Sequence, residues 1–239
     1  MNQGATRIMI GLFAAAAGAA ATVAVMASGT PVATSDRTAI EKIVREYILA
    51  NPEILPEAMD NLRGREVAKV VKANRKAIET PFAGAWEGAA DADVTVVQFF
   101  DYNCSYCRSS MVDIDKLLAA DKRVRIVYRE FPVLGPDSEN AARISLAAAK
   151  SGKYASFHRA IYAAGQAEPR AVERIAKQMG IDLAFTANPA AQAEIDANLN
   201  LARPLGMTGT PSWVIGDKVL TGAVGYDALK DAVAAARAR

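Results

Sequence analysis

Residues 94–107 read VTVVQFFDYNCSYC, a run of β-branched and aromatic residues that ends in two cysteines. Such a run predicts a strand that is covered on both faces. Residues 105–120 then show the apolar spacing of a helix, and VRIVY at residues 124–128 predicts a second buried strand. These segments together predict a βαβ unit in which the two strands are parallel.

Outward from this unit, the pattern changes to helix and then returns to strand. Residues 137–201 have helical stripes that are interrupted by prolines and a glycine. SWVI at residues 212–215 and residues 219–221 predict a hairpin, and an Ala-rich helix over residues 226–238 follows. The predicted fold class is therefore α/β, in the order βαβ, helical block, ββα.

Composition and charge narrow the classes of function. The 239 residues are 51% hydrophobic and 23% charged, which is typical of a globular protein. The formal net charge is +2 and no long basic run is present, so the sequence gives no support for nucleic-acid binding. Two cysteines are too few for a disulfide-rich scaffold.

The amino-terminal segment has the pattern of an export signal. Residues 8–27 are uncharged and mostly small, they follow Arg7, and small residues precede Ser28. We interpret residues 1–27 as a signal peptide, with an uncleaved membrane anchor as the alternative, because 20 residues also reach across a bilayer core of about 30 Å. Residues 28–35 are interpreted as a linker, and the protein is expected in the periplasm.

Residues 36–80 are predicted to form a helical arm ahead of the main domain, residues 84–239. A capping box at Thr38–Glu41 predicts a helix start, Asn51-Pro52 predicts a boundary, and Gly64 predicts a further break. Three short helices with narrow apolar stripes cannot form a good core alone. The stripes are expected to pack on the main domain or, as we favour, on another copy of the chain, which makes a homo-oligomer.

The cysteine pair Cys104-Ser105-Tyr106-Cys107 is predicted to lie where a strand ends and a helix begins. Unpaired amide groups and the helix dipole there stabilise an anion, so the Cys104 thiolate is favoured. A thiolate attacks disulfides, and Cys107, one turn further, can close the ring with Cys104. The spacing therefore predicts a redox-active pair.

Three other interpretations of the pair stay open. A purely structural disulfide is a weak explanation, because closing a four-residue loop adds only about 2 kcal/mol to the free energy of unfolding. A zinc or copper site is incomplete, since the chain has no second cysteine pair and only His158 as a histidine. The interpretation of the pair as inert buried thiols conflicts with the polar neighbours Asn103 and Ser105, which predict that Cys104 is exposed. No metal and no cofactor is expected.

Three segments resemble one known family: FFDYNCSYC at residues 99–107, FPVLGPDS at 131–138 and GTPSWVIGD at 209–217. They are similar to the DsbA family of exported thioredoxin-fold oxidoreductases, and the arm at residues 39–62 resembles its ScsC-like branch. The resemblance covers about 200 residues. It implies a thioredoxin-like fold with an inserted helical domain at about residues 137–201, in agreement with the element order above.

The resemblance also implies roles for individual residues. Cys104 matches the nucleophile and Cys107 the resolving cysteine. Thr210 and Pro211 match the loop whose proline is cis and faces the sulfurs; the residues alone allow a trans turn proline equally well. In the family, the backbone of the residue before that proline pairs with the substrate chain.

Two positions depart from the family pattern. The strongly oxidising members carry Pro-His between the cysteines, whereas this chain has Ser105-Tyr106. Many members place a buried glutamate six residues before the first cysteine as a proton relay, whereas this chain has Gln98, which cannot titrate. Asp101 is either a substitute relay or a solvated residue at a strand end.

The expected partners are unfolded or misoxidised cysteine-containing proteins and a membrane redox partner. The predicted function is thiol–disulfide exchange that forms or reshuffles disulfides in envelope proteins. A copper-binding or holdase module that uses the cysteines as ligands is the alternative. Tyr102, Tyr106 and Trp213 are candidates for an apolar surface around the pair, and His158 is expected to be structural.

Overall fold

The computed structural model describes residues 34–238. The signal peptide and most of the linker predicted from the sequence lie outside these residues. The chain divides into two compact units, one ending at Ala58 and the other beginning at Met59. Among the described residues, no helix is both long enough and apolar enough to cross a bilayer.

The arm consists of two helices, α1 (Thr34–Ala50) and α2 (Ile54–Glu79). The boundary predicted at Asn51-Pro52 is confirmed, whereas the break predicted at Gly64 is wrong and α2 runs through it. A single glycine costs a helix only about 1 kcal/mol. A Cβ at Gly64 would meet no atom within 4 Å, so this position is not a packing constraint either. The start of α1 also lies four residues before the predicted capping box.

The two ends of the arm differ in burial. In α1 the predicted apolar stripe has five side chains; Ile48 is half-buried, and the other four are between 50% and 64% exposed: Ile40, Ile43, Val44 and Tyr47. Near the end of α2, by contrast, Val71 and Ile78 are fully buried against the sheet. The apolar side chains in the second half of α2 are therefore buried by packing on the main domain.

The central element is a five-stranded mixed sheet in the order β1-β3-β2-β4-β5. Its strands are β1 (Trp86–Gly88), β2 (Val94–Phe100), β3 (Val124–Glu130), β4 (Ser212–Ile215) and β5 (Lys218–Thr221). The β2–β3 pair is parallel, as predicted from the βαβ pattern, and the other pairs are antiparallel. Strand β1 was not predicted, because three residues are too few for a periodic pattern.

Helix α3 (Ser105–Ala120) connects the two parallel strands, and the inserted block follows β3. The block consists of α4 (Pro136–Lys150), α5 (Tyr154–Ala164), α6 (Pro169–Gln178), a 3-10 turn (Leu183–Ala187) and α7 (Pro189–Ala202). Helix α8 (Gly225–Arg237) closes the domain. The thioredoxin-like fold with an inserted helical domain, predicted from the resemblance, is confirmed.

Successive side chains along each strand point to opposite faces of the sheet. Val96, Gln98 and Phe100 point to the front face, which is covered by α3, α8 and the helices α4 to α6. Val97 and Phe99 point to the back face, which is covered by α2 and the end of α7. Both cysteines belong to the front-face core.

Candidate active site

Cys104 is the N-cap residue, directly before helix α3. It has an extended backbone conformation, and its sulfur accepts a hydrogen bond from the backbone amide of Cys107 at 3.3 Å. The β-rich run before it forms β2, and the turn Asp101–Asn103 carries the chain from the sheet edge into the helix. The sulfur thus lies at the amino end of α3, where amide groups and the helix dipole favour negative charge.

The predicted proline loop lies directly against the cysteine pair. The Cys104 sulfur is 3.3 Å from the carbonyl oxygen of Thr210, although the two residues are 106 positions apart in the chain. The Thr210–Pro211 peptide bond is cis, as the resemblance predicted. All four predicted site residues are therefore brought together, because β4 pairs with β2 and starts at the same sheet edge where β2 ends.

The two thiols differ in acidity. The hydrogen bond from the Cys107 thiol, together with contacts from Thr210 and the backbone of Cys107 and Tyr106, lowers the pKa of Cys104 to about 6, although desolvation opposes this shift. Burial raises the pKa of Cys107 far above its ordinary value. At neutral pH one thiolate is therefore favoured, on Cys104, and Cys107 keeps its proton.

The surroundings of the pair are more enclosed than the sequence predicted. Cys104 is only 6% exposed and Cys107 is fully buried. Of the three aromatic residues expected to form a surface around the pair, Tyr106 is 66% exposed, whereas Tyr102 and Trp213 are core residues. Val133 and Leu134, whose backbone amides donate to Asp101, are also exposed large apolar residues.

Gln98 and Asp101 also differ from the expectations. Asp101 is buried rather than solvated, and its carboxylate accepts hydrogen bonds from four groups, so it is a structural anchor and not a free relay. Gln98 lies on the front face between Tyr128 and Trp213 in the strand register. Its amide has no hydrogen-bond partner among the described residues.

The front face contains a buried polar cluster that the sequence did not reveal. The Tyr102 hydroxyl bonds to Ser145 Oγ at 2.8 Å and to His158 Nδ1 at 2.9 Å, and Tyr154 donates to Glu130 at 3.4 Å. Burial raises the pKa of Glu130 well above its ordinary range and lowers the pKa of His158 to about 3. His158 is therefore neutral near pH 7, and burial favours the protonated form of Glu130. His158 is buried in the core, as its structural interpretation predicted.

The described residues contain no cluster of three or more His, Cys, Asp or Glu side chains that would surround a metal ion. Both cysteines are free thiols in the structure. The arrangement can therefore carry out nucleophilic attack by Cys104 on a disulfide, followed by release through Cys107.

Comparison with known proteins agrees with this geometry. Residues 95–234 match the DSBA-like thioredoxin domain, and residues 36–69 match the N-terminal domain of the copper resistance protein ScsC. A thioredoxin-like oxidoreductase from Silicibacter pomeroyi DSS-3 is 44% identical, with a TM-score of 0.66; the match covers 70% of this chain and 99% of that chain. A linker-deletion mutant of Proteus mirabilis ScsC is 28% identical, with a TM-score of 0.69, over 88% of this chain and 99% of that chain.

One further relative is much longer than this chain. Over 156 residues the chain is 28% identical to the Na(+)/H(+) antiporter NhaA 3 of Salinispora tropica, which covers 62% of this chain and 24% of that protein. The chain thus spans about a quarter of the length of the curated relatives it matches. The matching domain, the two thiols and their neighbours lead to one assignment: the chain belongs to the DSBA-like thioredoxin-domain family of thiol–disulfide oxidoreductases.

Proposed function

We propose that the protein forms or reshuffles disulfides in proteins of the cell envelope, with Cys104 as nucleophile and Cys107 as resolving cysteine. The observation that supports this most directly is the asymmetry of the pair. One sulfur is held at a helix start as a favoured thiolate, and the other is buried beside it and protonated.

The exchange proceeds through a mixed disulfide. In oxidation, a substrate thiolate attacks the Cys104–Cys107 disulfide at Cys104, and the Cys107 thiolate leaves and takes up a proton. A second substrate thiolate then attacks the substrate sulfur of the mixed disulfide. Cys104 leaves as a thiolate, so the substrate loses two electrons and the cysteine pair gains them. In reshuffling, the Cys104 thiolate attacks a substrate disulfide and is later displaced by another substrate thiolate.

The pKa of Cys104 supports an oxidising or isomerising direction. A value of about 6 lies between thioredoxin, near 7, and DsbA, near 3.5. Stabilising the thiolate stabilises the reduced form, which makes the disulfide more oxidising. We expect a reduction potential between the roughly −270 mV of thioredoxin and the roughly −120 mV of DsbA.

Thr210 and Pro211 are proposed to receive the substrate chain. The Thr210 carbonyl, 3.3 Å from the Cys104 sulfur, lies directly before Pro211 and β4. A substrate segment that paired with this backbone as an added strand would bring its own cysteine to Cys104. Substrates are proposed to be unfolded or misoxidised cysteine-containing proteins, and a membrane redox partner is proposed to restore the cysteine pair.

The proposed site of action is the periplasm. The uncharged segment of residues 8–27 behind Arg7 supports export, and the ScsC-type match at residues 36–69 is consistent with it. A fusion of residues 1–35 to a reporter that is active only outside the cytoplasm tests this. Reporter activity is expected, and activity equal to that of an unfused reporter would contradict export.

A second copy of the chain is proposed to cover the exposed stripe of α1. Four large apolar side chains on one helix, each at least half exposed, are unfavourable in a lone chain and typical of an oligomer interface. Several active sites in one assembly would keep a misfolded chain bound while its bonds are exchanged, which favours reshuffling over simple oxidation.

A glutathione redox titration of the purified protein, with alkylation of the free cysteines, tests the exchange function. A potential between about −120 and −180 mV is expected for a pair that forms or reshuffles disulfides. A value near about −270 mV would mean a reductant, and no exchange at all would contradict the proposal.

The mass of the protein in solution tests the oligomer. Ile43→Glu places a charge on the apolar stripe of α1, and Lys42→Glu places the same residue on the polar face as a control. The wild-type chain and the Lys42→Glu control are expected to be oligomers, and the Ile43→Glu variant is expected to be a monomer. A monomeric unchanged chain would contradict self-association.

The copper alternative rests on the name of the ScsC domain and on the two free thiols. Copper(I) binds thiolates, so binding would require the dithiol form. Titration of copper(I) against the dithiol and the disulfide forms separates the two functions. Binding to the dithiol without any exchange activity would favour the copper function.

A further inference from the structure

A small surface pocket lies between helices α3 and α5 and is lined by two arginines. Its volume is about 200 Å³, and its lining consists of Arg108, Met111, Arg159, Tyr162 and Ala163. No aspartate or glutamate belongs to this lining. The pocket therefore combines positive charge with apolar side chains, which suits a carboxylate on a short aliphatic stem. We call it the arginine pocket.

The arginine pocket lies about one helical turn from the reactive cysteine. The backbone amide of Arg108 donates to the Cys104 carbonyl at 3.1 Å. Residues four and seven positions apart share one side of a helix, so Arg108 and Met111 follow Cys104 along α3, Arg108 at about 6 Å along the axis. On the other wall, the Tyr162 hydroxyl donates to the Asp101 carbonyl at 3.1 Å, and that carbonyl also accepts the Cys104 amide at 3.1 Å. Both walls are thus fixed to the residues that position the nucleophile.

The two arginines differ in how their charge is matched. Arg159 pairs with Glu87 at 2.8 Å and with Asp115 at 2.7 Å, so its guanidinium already has two carboxylate partners. The side chain of Arg108 makes no hydrogen bond and no ion pair among the described residues, and its Nε atom is shielded from solvent without an acceptor. A shielded donor without an acceptor is unfavourable. Arg108 is therefore the group in the pocket that an incoming carboxylate would match.

A second cleft beside the nucleophile has the opposite charge. Asn103, the residue before Cys104, lines a cleft of about 320 Å³ whose lining includes Asp137 and Glu168 and no cationic side chain. A carboxylate is repelled by these acids and attracted by Arg108. A substrate chain bonded to Cys104 thus meets carboxylates at one cleft and an unmatched cation at the other, which favours an acidic residue at the arginine pocket.

We infer that the arginine pocket binds the carboxylate of an aspartate or glutamate near the reacting cysteine of a substrate polypeptide, with Arg108 as the residue that contacts it. The planar guanidinium donates two parallel hydrogen bonds to a carboxylate, and the stem of the acidic side chain packs on Met111 and Tyr162. A substrate held at the Cys104 sulfur carries its neighbouring side chains within reach of the pocket, so their effective concentration there is high. This inference rests on the proposed exchange function.

The test measures second-order rate constants for the dithiol form of the full chain with two symmetric peptide disulfides. In one peptide a glutamate stands on each side of the cysteine, and in the other a glutamine does. The ratio of the two rate constants, glutamate peptide over glutamine peptide, is expected to fall about fivefold in Arg108→Gln. A change in thiol reactivity affects both peptides and cancels in this ratio. Arg108→Lys keeps the charge without the planar fork and is expected to retain part of the preference.

Lys116→Gln removes the same charge from an exposed position about two turns further along α3 and is the control. It is expected to leave the ratio unchanged, and an equal fall would assign the effect to net charge and overturn the carboxylate site. An unchanged ratio in Arg108→Gln would also overturn it. Exchange with bis(2-hydroxyethyl) disulfide, which has no charge, tests the proposed function separately. Exchange by the wild-type chain supports that function whatever the ratio, and no exchange contradicts it.

Discussion

The two faces of the central sheet are built from the same strands but contain different chemistry. On the front face, β2 and β3 place Gln98, Tyr128 and Glu130 among buried aromatic residues beneath the cysteine pair. On the back face, the alternate residues Val97, Phe99 and Val127 are apolar, Arg129 is a buried cation, and Thr95 and Arg125 lie towards the strand starts. The buried acid and the buried tyrosines thus lie on the face that carries the thiols, whereas the other face serves to attach the arm.

Arg129 is the polar centre of the back face. Its guanidinium donates to backbone carbonyls at the end of α2, including Ile78 at 3.1 Å, and pairs with Glu194 of α7 at 2.8 Å. Carbonyls at a helix end have no partner within the helix, so a buried cation there satisfies them. The second half of α2 is thus part of the domain core rather than a free arm.

The largest effect is expected from a substitution that removes the reactive Cys104 sulfur on the front face. Cys104→Ser is expected to abolish exchange with glutathione, because a serine hydroxyl is not ionised at neutral pH. Cys107→Ser keeps the nucleophile and is expected to accumulate a mixed disulfide at Cys104, visible as added mass. Residual exchange in Cys104→Ser would contradict the assigned roles.

A large effect on stability is expected from the back face. Arg129→Met leaves Glu194 and the α2 carbonyls without their partner, and removing one partner of a buried ion pair costs about 3–5 kcal/mol of unfolding free energy. Arg125→Met on the same strand loses a bond to Thr95 and a contact with the Trp86 ring, but no buried ion pair, and serves as the control. Denaturant unfolding measures both. The pKa of Cys104 should stay the same, and a shift in it would contradict the separation of the two faces.

Acid sensitivity is expected to come from the front face. His158 has its pKa lowered by burial from 6.5 to about 3, so between these values the unfolded chain binds a proton that the folded chain does not. Stability should therefore fall as the pH drops below 6.5, by up to about 1.4 kcal/mol per pH unit from this residue. His158→Phe should lose that part of the slope, and an unchanged slope would contradict the burial of a neutral histidine.

The smallest expected effect concerns Gln98. Gln98→Glu adds a titratable group on the front face and is expected to raise the exchange rate at neutral pH, because a buried acid can supply the proton for the leaving thiolate. Gln98→Leu should raise the unfolding free energy by about 1 kcal/mol, since it removes an amide without partners, and leave the rate unchanged. An equal rate in the two variants would rule out a proton-transfer role for this position.

Much of the site was predictable because its signals are local. The β-branched run of residues 94–100 and the cysteine at the following helix start define the strand, the turn and the nucleophile without reference to the rest of the chain. The continuous α2 was missed because a glycine is only a weak helix breaker when its neighbours favour a helix. The strand β1 was missed because it exists only through pairing with β3.

The sequence by itself determined the elements, the reactive pair and, through resemblance, the cis proline loop. Only the tertiary structure decided which polar residues are buried and what they contact. Asp101, Arg129 and Glu130 have unremarkable sequence contexts, yet each is almost fully buried. The reason is physical: periodicity reports which face of an element is apolar, whereas the partners that make a buried charge tolerable come from segments far apart in the chain.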